Sequence, residues 1–254
     1  MKLAVMQPYF LPYLGAYQHV YAVDKYIIYG SVNFRNNGWF NRNRLMEKNK
    51  GPRYFNIPMI ESSFLKTFRD IEVDPSQRWR VKLLRTIELN YNKCDYYAVT
   101  FDLIRGIVLC DLVHLDEFNA NSMIMVSKHL DINTQIVLDR GNYAAIETEL
   151  GSKFDETIES GDIVSHDLDK KTARIIEICK QEQAATYVNP IGGQALYSKS
   201  VFKANGIELL FLKTREIRYK QMYDSFEPNL SILDVLMNCG KDQTKELIKE
   251  YDLV

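Results

Sequence analysis

The sequence predicts an α/β protein built on a mainly parallel sheet with helices on both faces. Two observations carry that expectation. Short apolar runs alternate with stretches whose apolar residues recur at helical spacing, and strands joined by helical crossovers pair in parallel. The first run also exits through two prolines, which cannot donate to a strand ladder. With 46% of its 254 residues hydrophobic, the chain has ample material for a packed core.

The elements follow in order. Lys2 to Met6 reads as a buried strand, and the chain turns at Pro8 to Pro12. From Tyr13 to Val23 the residues Leu14, Tyr17, Val20 and Tyr21 keep helical spacing, and Tyr26 to Val32 is a second strand. Residues 33 to 53, rich in Asn, Arg, Lys and Gly around Trp39 and Phe40, read as a surface loop before a strand at Tyr54 to Ile60. Helices at Gln77 to Asn90, Tyr96 to Cys110 and Leu115 to Leu130 form a helical insertion at about 76–131.

Thr134 to Leu138 then reads as a strand, 141 to 166 as polar and irregular, and Lys170 to Gln183 as a helix. A strand at Thr186 to Val188, a helix at Ala195 to Ala204 and a strand at Ile207 to Leu212 repeat the alternation. Ser231 and Asp234 have capping-box spacing, Gly240 sits where a left-handed cap belongs, and a last helix runs from Asp242 to Tyr251. No repeat or linker divides residues 1–254, so one domain is expected.

Composition excludes several functions. Lys and Arg number 32 against 33 Asp and Glu, which lacks the basic excess of a nucleic-acid binder. Cys94, Cys110, Cys179 and Cys239 are too far apart for the close ligand pairs of zinc sites, and His114, His129 and His166 have no metal-ligand partner at useful spacing. No metal site is predicted, and no cofactor is assigned. No run approaches the ~18 apolar residues of a spanning helix. Gln7, Pro8, Pro12, Gln18 and Asp24 interrupt the opening before a secretory core forms. A cytoplasmic location without membrane insertion is the expectation.

Open parallel sheets bind ligands beyond the carboxyl ends of their strands. That rule selects three stretches. Gln7, Tyr9, Tyr13 and Gly15 follow the first strand, with Gly15 allowing close backbone approach; a rigid turn with packed aromatics explains them equally well. Asn41, Arg42 and Arg44 stand beside Trp39, a mixture suited to bidentate phosphate contacts and ring stacking, although a solvated basic turn has the same composition. Asn189, Gly192 and Gly193 form a turn able to present consecutive N–H groups to an anion. His19 is near enough to the first stretch to serve as a general base if its ring faces the site, against the commoner role of packing on a helix.

The opening Ala4-Val5-Met6-Gln7-Pro8-Tyr9-Phe10-Leu11-Pro12-Tyr13-Leu14-Gly15 resembles the start of WbqC-like proteins. Further segments resemble that family in the same order: Asn33-Phe34 with Trp39 to Arg44, Gly51 to Pro58, Tyr187 to Gly193 with Tyr197, and Phe226 to Asp234 through Asn238 and Gly240. Asn189-Pro190 and Ser198-Lys199-Ser200 depart from the family pattern. The resemblance spans essentially the whole chain. It implies a bacterial protein associated with O-antigen and related polysaccharide clusters, with acyl or aminoacyl transfer to an amino-sugar nucleotide as a proposed role. It also adds Tyr197 and Asp234 as candidates, although helix capping accounts for the spacing of Asp234 without a ligand.

The leading expectation is therefore a transferase that binds a small-molecule nucleotide sugar. Arg42 and Arg44 would hold the diphosphate, Trp39 or Tyr9 a ring, and Gln7, Asn41 or Asn189 would position the substrate for an acyl or aminoacyl donor. A non-catalytic sugar-nucleotide-binding or scaffold protein is the alternative. A third reading comes from Pro12 to Gly15, which resembles the opening of nucleotidylyltransferases and suggests a Rossmann-like sheet. Those enzymes flank the turn glycine with two histidines, whereas Tyr13 and Ala16 stand at the corresponding places here. Fingerprints for dinucleotides, the P-loop, the serine-hydrolase elbow and the zinc-protease helix are all lacking.

Overall fold

A computed structural model describes residues 1–34, 38–48, 50–160, 169–222 and 225–254, without the side chains of 153–160. Its strands are β1 (Lys2–Met6), β2 (Lys25–Ile28), β3 (Arg42–Glu47), β4 (Gly51–Asn56), β5 (Met59–Ile60), β6 (Glu72–Val73), β7 (Gln135–Leu138), β8 (Thr186–Pro190), β9 (Glu208–Thr214) and β10 (Tyr251–Leu253). Its α-helices are α1 (Leu14–Tyr21), α2 (Gln77–Tyr91), α3 (Tyr97–Val108), α4 (Leu115–His129), α5 (Ala144–Ser160), α6 (Lys170–Gln181), α7 (Lys199–Ala204) and α8 (Ile232–Ile248).

Six strands form one sheet in the order β10-β9-β8-β1-β2-β7. All pairs are parallel except β10 with β9. The chain steps outward from β1 to β2 and β7, then returns to the other side of β1 for β8 and β9. The order therefore reverses once, between β1 and β8, where a parallel sheet opens a crevice at its carboxyl edge.

The alternation of side chains along these strands divides the core in two. Ala4, Tyr26, Ile28, Val188 and Leu212 meet residues of α1, α2, α3, α4 and α8 on one face. Leu3, Val5, Ile27, Tyr187, Leu209 and Phe211 meet Ile175, Ile176, Cys179 and Phe202 of α6 and α7 on the other. Burying each such Leu, Ile or Phe side chain contributes about 1.5–3 kcal/mol. On the second face the Arg174 guanidinium and the Tyr29 hydroxyl both donate to Glu147, while Tyr143 and Lys25 converge on Glu182.

Several expectations are corrected. The 33 to 53 stretch is not all loop: β3 and β4 form an antiparallel hairpin with Arg42 opposite Asn56 and Glu47 opposite Gly51. Its apolar alternation is masked because an inward position is filled by a polar residue, the buried Asn43. The single strand at Tyr54 to Ile60 is broken into β4 and β5 around Pro58, which has no ladder donor. Much of the stretch read as irregular from 141 is α5, while 161–168 lie outside the described residues. The helix expected from Ala195 begins at Lys199, and a single 3-10 turn occupies Ile191–Gly193.

At Gly240 the first of two helices joined in α8 ends, as the sequence predicts: the backbone leaves helical geometry at φ 66° and ψ −170°, and a last helix follows. A Cβ there would also lie 2.4 Å from the ring of Tyr96, so both backbone and space require glycine. Tyr251 belongs to β10 rather than to a helix.

The Pro8–Pro12 segment runs through the interior beneath this architecture, and its carbonyls are met by buried side chains from three distant elements. Asn119 Nδ2 of α4 donates to Pro8 O at 3.1 Å and to Phe40 O at 2.9 Å. Asn43 Nδ2 of β3 donates to Leu11 O at 2.6 Å and Phe10 O at 3.3 Å, and Ser231 Oγ donates to Leu11 O at 2.8 Å. Ser122 Oγ accepts from Leu11 N, and Ile232 N donates to Pro12 O. These contacts hold Leu11 at φ 40°, a region that branched side chains seldom enter.

Asn43→Ala strips Phe10 O of its side-chain donor and leaves Leu11 O with Ser231 Oγ alone, and a buried acceptor left unsatisfied costs about 1–3 kcal/mol. A loss of that size is expected in chemical denaturation, measured as a lower midpoint at unchanged slope.

Candidate functional site

A cavity of about 420 Å³ opens at the carboxyl edge of β9, beside the start of α1. Tyr13 and Gly15 line it from α1, Thr214 to Tyr219 from the end of β9 and the chain beyond, and Phe226 and Pro228 to Leu230 from the approach to α8. Gly15 is set there by close packing: a Cβ would lie 2.5 Å from the Tyr13 ring and 3.1 Å from Thr214 Oγ1. Gln18, one turn further along, fixes the helix by accepting from Thr214 Oγ1 at 2.7 Å and donating to Leu247 O and Glu250 O at 3.1 and 2.9 Å.

The walls combine aromatic and charged groups. The Arg218 guanidinium lies 5.6 Å from the Phe226 ring centroid and bonds Glu216 at 3.1 Å, and Tyr219 meets Phe226 edge to face at 5.5 Å. Arg215 is shared between Asp252 and Glu250, at 2.6 and 3.3 Å. The N-terminus of α1 faces this space, and helix N-termini carry partial positive charge and free N–H groups.

Asp234 stands behind the cavity wall in the first turn of α8 and is 1% exposed. Tyr91 Oη and Tyr219 Oη each donate to its carboxylate at 2.8 Å, and Gln221 Nε2 donates at 3.3 Å. Burial raises its pKa above the ordinary aspartate range, against the lowering effect of these donors. The capping-box expectation is corrected here. Ser231 Oγ accepts from Leu233 N at 3.3 Å, and the carboxylate serves the tyrosines rather than its own helix end.

Gln221 ties this network to the cavity wall, donating to Glu227 O and accepting from Glu227 N, both at 2.8 Å. Arg44 clasps the same segment from outside. Its guanidinium bonds Glu227 Oε1 at 2.8 Å, Pro228 O at 3.0 Å and Asn229 O at 3.4 Å.

Of the three sequence-selected stretches, the first contributes Tyr13 and Gly15 to this cavity, and the other two do not line it. Gln7 is half-buried at the end of β1. Tyr9 stacks on Phe40 at 5.2 Å, and its phenol is pushed up to about 12, chiefly by burial. Arg42 lies 5.6 Å from Trp39 and 5.3 Å from Tyr54 on the outer hairpin, and Asn41 Nδ2 donates to Ile57 O at 3.1 Å. Arg44, expected on a diphosphate, is engaged here by Glu227.

Asn189, Gly193 and Tyr197 lie toward the second face. Asn189 Nδ2 stands 1.8 Å from where a Gly193 Cβ would be, so the amide fills the space beside that glycine. Tyr197 packs edge to face on Tyr187 and Phe202, and Gly192 opens on no neighbour within 4 Å of a built Cβ. The anion turn expected at Gly192-Gly193 is separated from the start of α7 at Lys199, so no helix N-terminus completes it.

His19 is corrected as a general base. Its ring is 1% exposed, packs on Tyr26, and places Nε2 2.8 Å from Val188 O, so Nε2 carries the proton. Burial lowers its pKa to about 4, outweighing the opposing pull of that carbonyl. The Thr214–Tyr219 wall escapes the sequence reading because a strand ending at Leu212 stops two residues short of β9. Extending the strand by alternation brings these residues under the strand-end rule.

The WbqC-like protein family model matches residues 7–246. The chain belongs to that family. It is also similar to Uncharacterized protein Rv1507c of Mycobacterium tuberculosis, at 26% identity over 243 residues and 95% of each chain. No solved structure matches it. Among the described residues no helix is long and apolar enough to cross a membrane, and no group of three or more His, Cys, Asp or Glu side chains is placed to hold a metal ion.

The buried His19 gives stability a pH signature. It is neutral in the folded protein above about pH 4 and titrates near 6.5 when unfolded, so the unfolded state binds more protons between those values. Stability contributed by the neutral ring is present above pH 6.5 and falls by about 3 kcal/mol as pH drops toward 4. Denaturant titrations should show a shallower decline for His19→Gln than for the wild type across that window.

Proposed function

We propose that this protein is a transferase acting on a nucleotide-linked amino sugar, moving an acyl or aminoacyl group in cytoplasmic bacterial surface-polysaccharide synthesis. One observation carries the reading: the cavity at the carboxyl edge of a parallel sheet, lined by the α1 N-terminus, Tyr13, and Arg218 over the Phe226 ring. A phosphate is drawn to a helix N-terminus, and a sugar or base ring stacks on exposed aromatic faces. Family membership supports the pathway by resemblance. The single reversal of strand order between β1 and β8 supports a Rossmann-like sheet of the nucleotidylyltransferase type. With Tyr13 and Ala16 at the positions of that group's histidines, adenylyl transfer by its usual pair has no counterpart.

In this reading the diphosphate belongs at the α1 N-terminus rather than on Arg42 and Arg44, and the ring belongs between Tyr13 and Phe226. A binding or scaffold role without turnover is favoured by a specific observation. His19, the nearest imidazole in the first stretch, is closed off from the cavity by burial.

Thermal-shift and calorimetric titration with a panel of nucleoside diphosphate sugars tests the proposal. At a hundredfold excess over Kd a bound ligand stabilises by about 2.7 kcal/mol. Tyr13→Ala and Arg218→Ala should each weaken binding about tenfold, whereas Arg42→Ala should leave it unchanged. The reverse pattern moves the ligand to the Trp39–Tyr54 hairpin, and no response to any member of the panel sinks the reading. Incubation with acyl thioesters and aminoacyl donors then separates the two roles, since a scaffold binds without forming product.

A further inference from the structure

Trp39 and Tyr54 are 46% and 52% exposed beside the β3–β4 hairpin, and neither belongs to the cavity. Their ring centroids lie 5.8 Å apart, with the planes tilted by 33°. The Arg42 guanidinium sits 5.6 Å from the Trp39 ring and 5.3 Å from that of Tyr54, which holds the pair together. Rings clustered in water and rimmed by charge mark an interaction surface.

The charge around them has one dominant sign. From Trp39 to Asn56 the sequence holds Arg42, Arg44, Lys48, Lys50 and Arg53 against Glu47 alone. Glu47 is shared by Lys50 at 3.1 Å and Arg53 at 3.0 Å, and Glu227 takes Arg44, so among the described residues five cations share two carboxylates. Charges that cancel over the whole chain do not cancel here, which is how a local basic face escapes a composition count. Lys48 and Lys50 stand in the turn beyond β3, and Arg53 follows in β4. Cations therefore continue from the rings to the hairpin tip, about 10 Å along the strand from Tyr54.

Rings and cations laid along a line match a strand of repeating bases and phosphates, since bases stack on aromatic faces and phosphates seek lysine and arginine. An acidic protein matches the charge but offers the open ring faces no flat partner. The same side of the hairpin leads to the cavity. Arg44 stands directly opposite Tyr54 in the ladder, and its guanidinium bonds Pro228 O and Asn229 O of the cavity wall. We infer that the β3–β4 hairpin binds single-stranded RNA, and that the donor for the transfer proposed above is an aminoacyl ester on the terminal ribose of that RNA. In the transfer the ester C–O bond to the ribose breaks, the amide C–N bond to the sugar nitrogen forms, and the proton released by the amine goes to the ribose oxygen. The RNA site stands on the hairpin alone, whereas its role as donor rests on the transferase reading.

Fluorescence anisotropy of the full chain with a labelled single-stranded RNA of mixed sequence tests the site. Affinity should fall with salt at a log–log slope of about −2, which corresponds to about three phosphate contacts. Trp39→Ala and Tyr54→Ala should each weaken binding about tenfold, and Lys50→Glu should weaken it and flatten the slope. All three positions are exposed, so the variants keep the fold. Affinity for nucleoside diphosphate sugars should be the same in each of them as in the wild type.

RNA binding that ignores the loss of either ring, or that polyglutamate displaces as well as unlabelled RNA does, reduces the hairpin to a charge patch for an acidic protein and overturns the inference. Ring-dependent binding of coenzyme A without binding of RNA overturns it in favour of a thioester donor, and so does silence toward both. Refusal of RNA by a chain that binds nucleotide sugars leaves the transferase reading standing. RNA bound while every nucleotide sugar is refused upholds the hairpin site and sinks that reading, the donor role with it. Where both bind, aminoacyl-RNA with UDP-glucosamine should yield the N-aminoacyl sugar, and an absence of product overturns the donor role.

Discussion

The structure depends on how a short interior segment, Pro8–Pro12, satisfies its backbone. Two of its five residues are prolines, and all but the half-buried Tyr9 are buried. Polar backbone in such a place must find partners, and those partners come from α4, β3 and the start of α8. One set of hydrogen bonds thereby fixes the exit from β1, the seat of the β3–β4 hairpin and the origin of α8. Ser231 N donating to Arg44 O at 3.0 Å closes the circuit between the last two.

The same set explains the position of the cavity. With Pro12 O held by Ile232 N, the next residue Tyr13 starts α1 directly beside the approach to α8. The wall between them is stiffened from both sides, by Gln221 within and Arg44 without. Asp234 then joins α2, the chain beyond β9 and α8 through its two phenols. Hydrogen bonds among buried polar groups thus hold the cavity walls, to which the sheet contributes Thr214 at the end of β9.

Much of the fold is legible in the sequence because the parallel strands are buried on both faces and read as compact apolar runs, such as Leu3 to Met6 and Tyr26 to Ile28. The hairpin is not legible, since Asn43 occupies a core-facing position for the sake of two carbonyls far away in the chain. Nor is β10, three residues whose pairing with β9 is antiparallel and non-local. Of the site, Tyr13 and Gly15 are found by the strand-end rule. Arg44 is conspicuous for its charge, but a sequence cannot reveal that Glu227, 183 residues later, is its partner. The purpose of Asp234 is hidden for a similar reason, because capping explains its spacing and only tertiary contacts distinguish a cap from a buried anion.

The placement of α8 and β10 late in the chain bears on the order of assembly. During synthesis from the amino end, the five parallel strands are available before either element exists. Until they arrive, Pro12 O and Leu11 O lack Ile232 N and Ser231 Oγ, Gln18 lacks Leu247 and Glu250, and Arg215 lacks both of its carboxylates. A nascent intermediate would therefore carry the five parallel strands with an open seam along α1, and the wall that α8 gives the cavity would form after them.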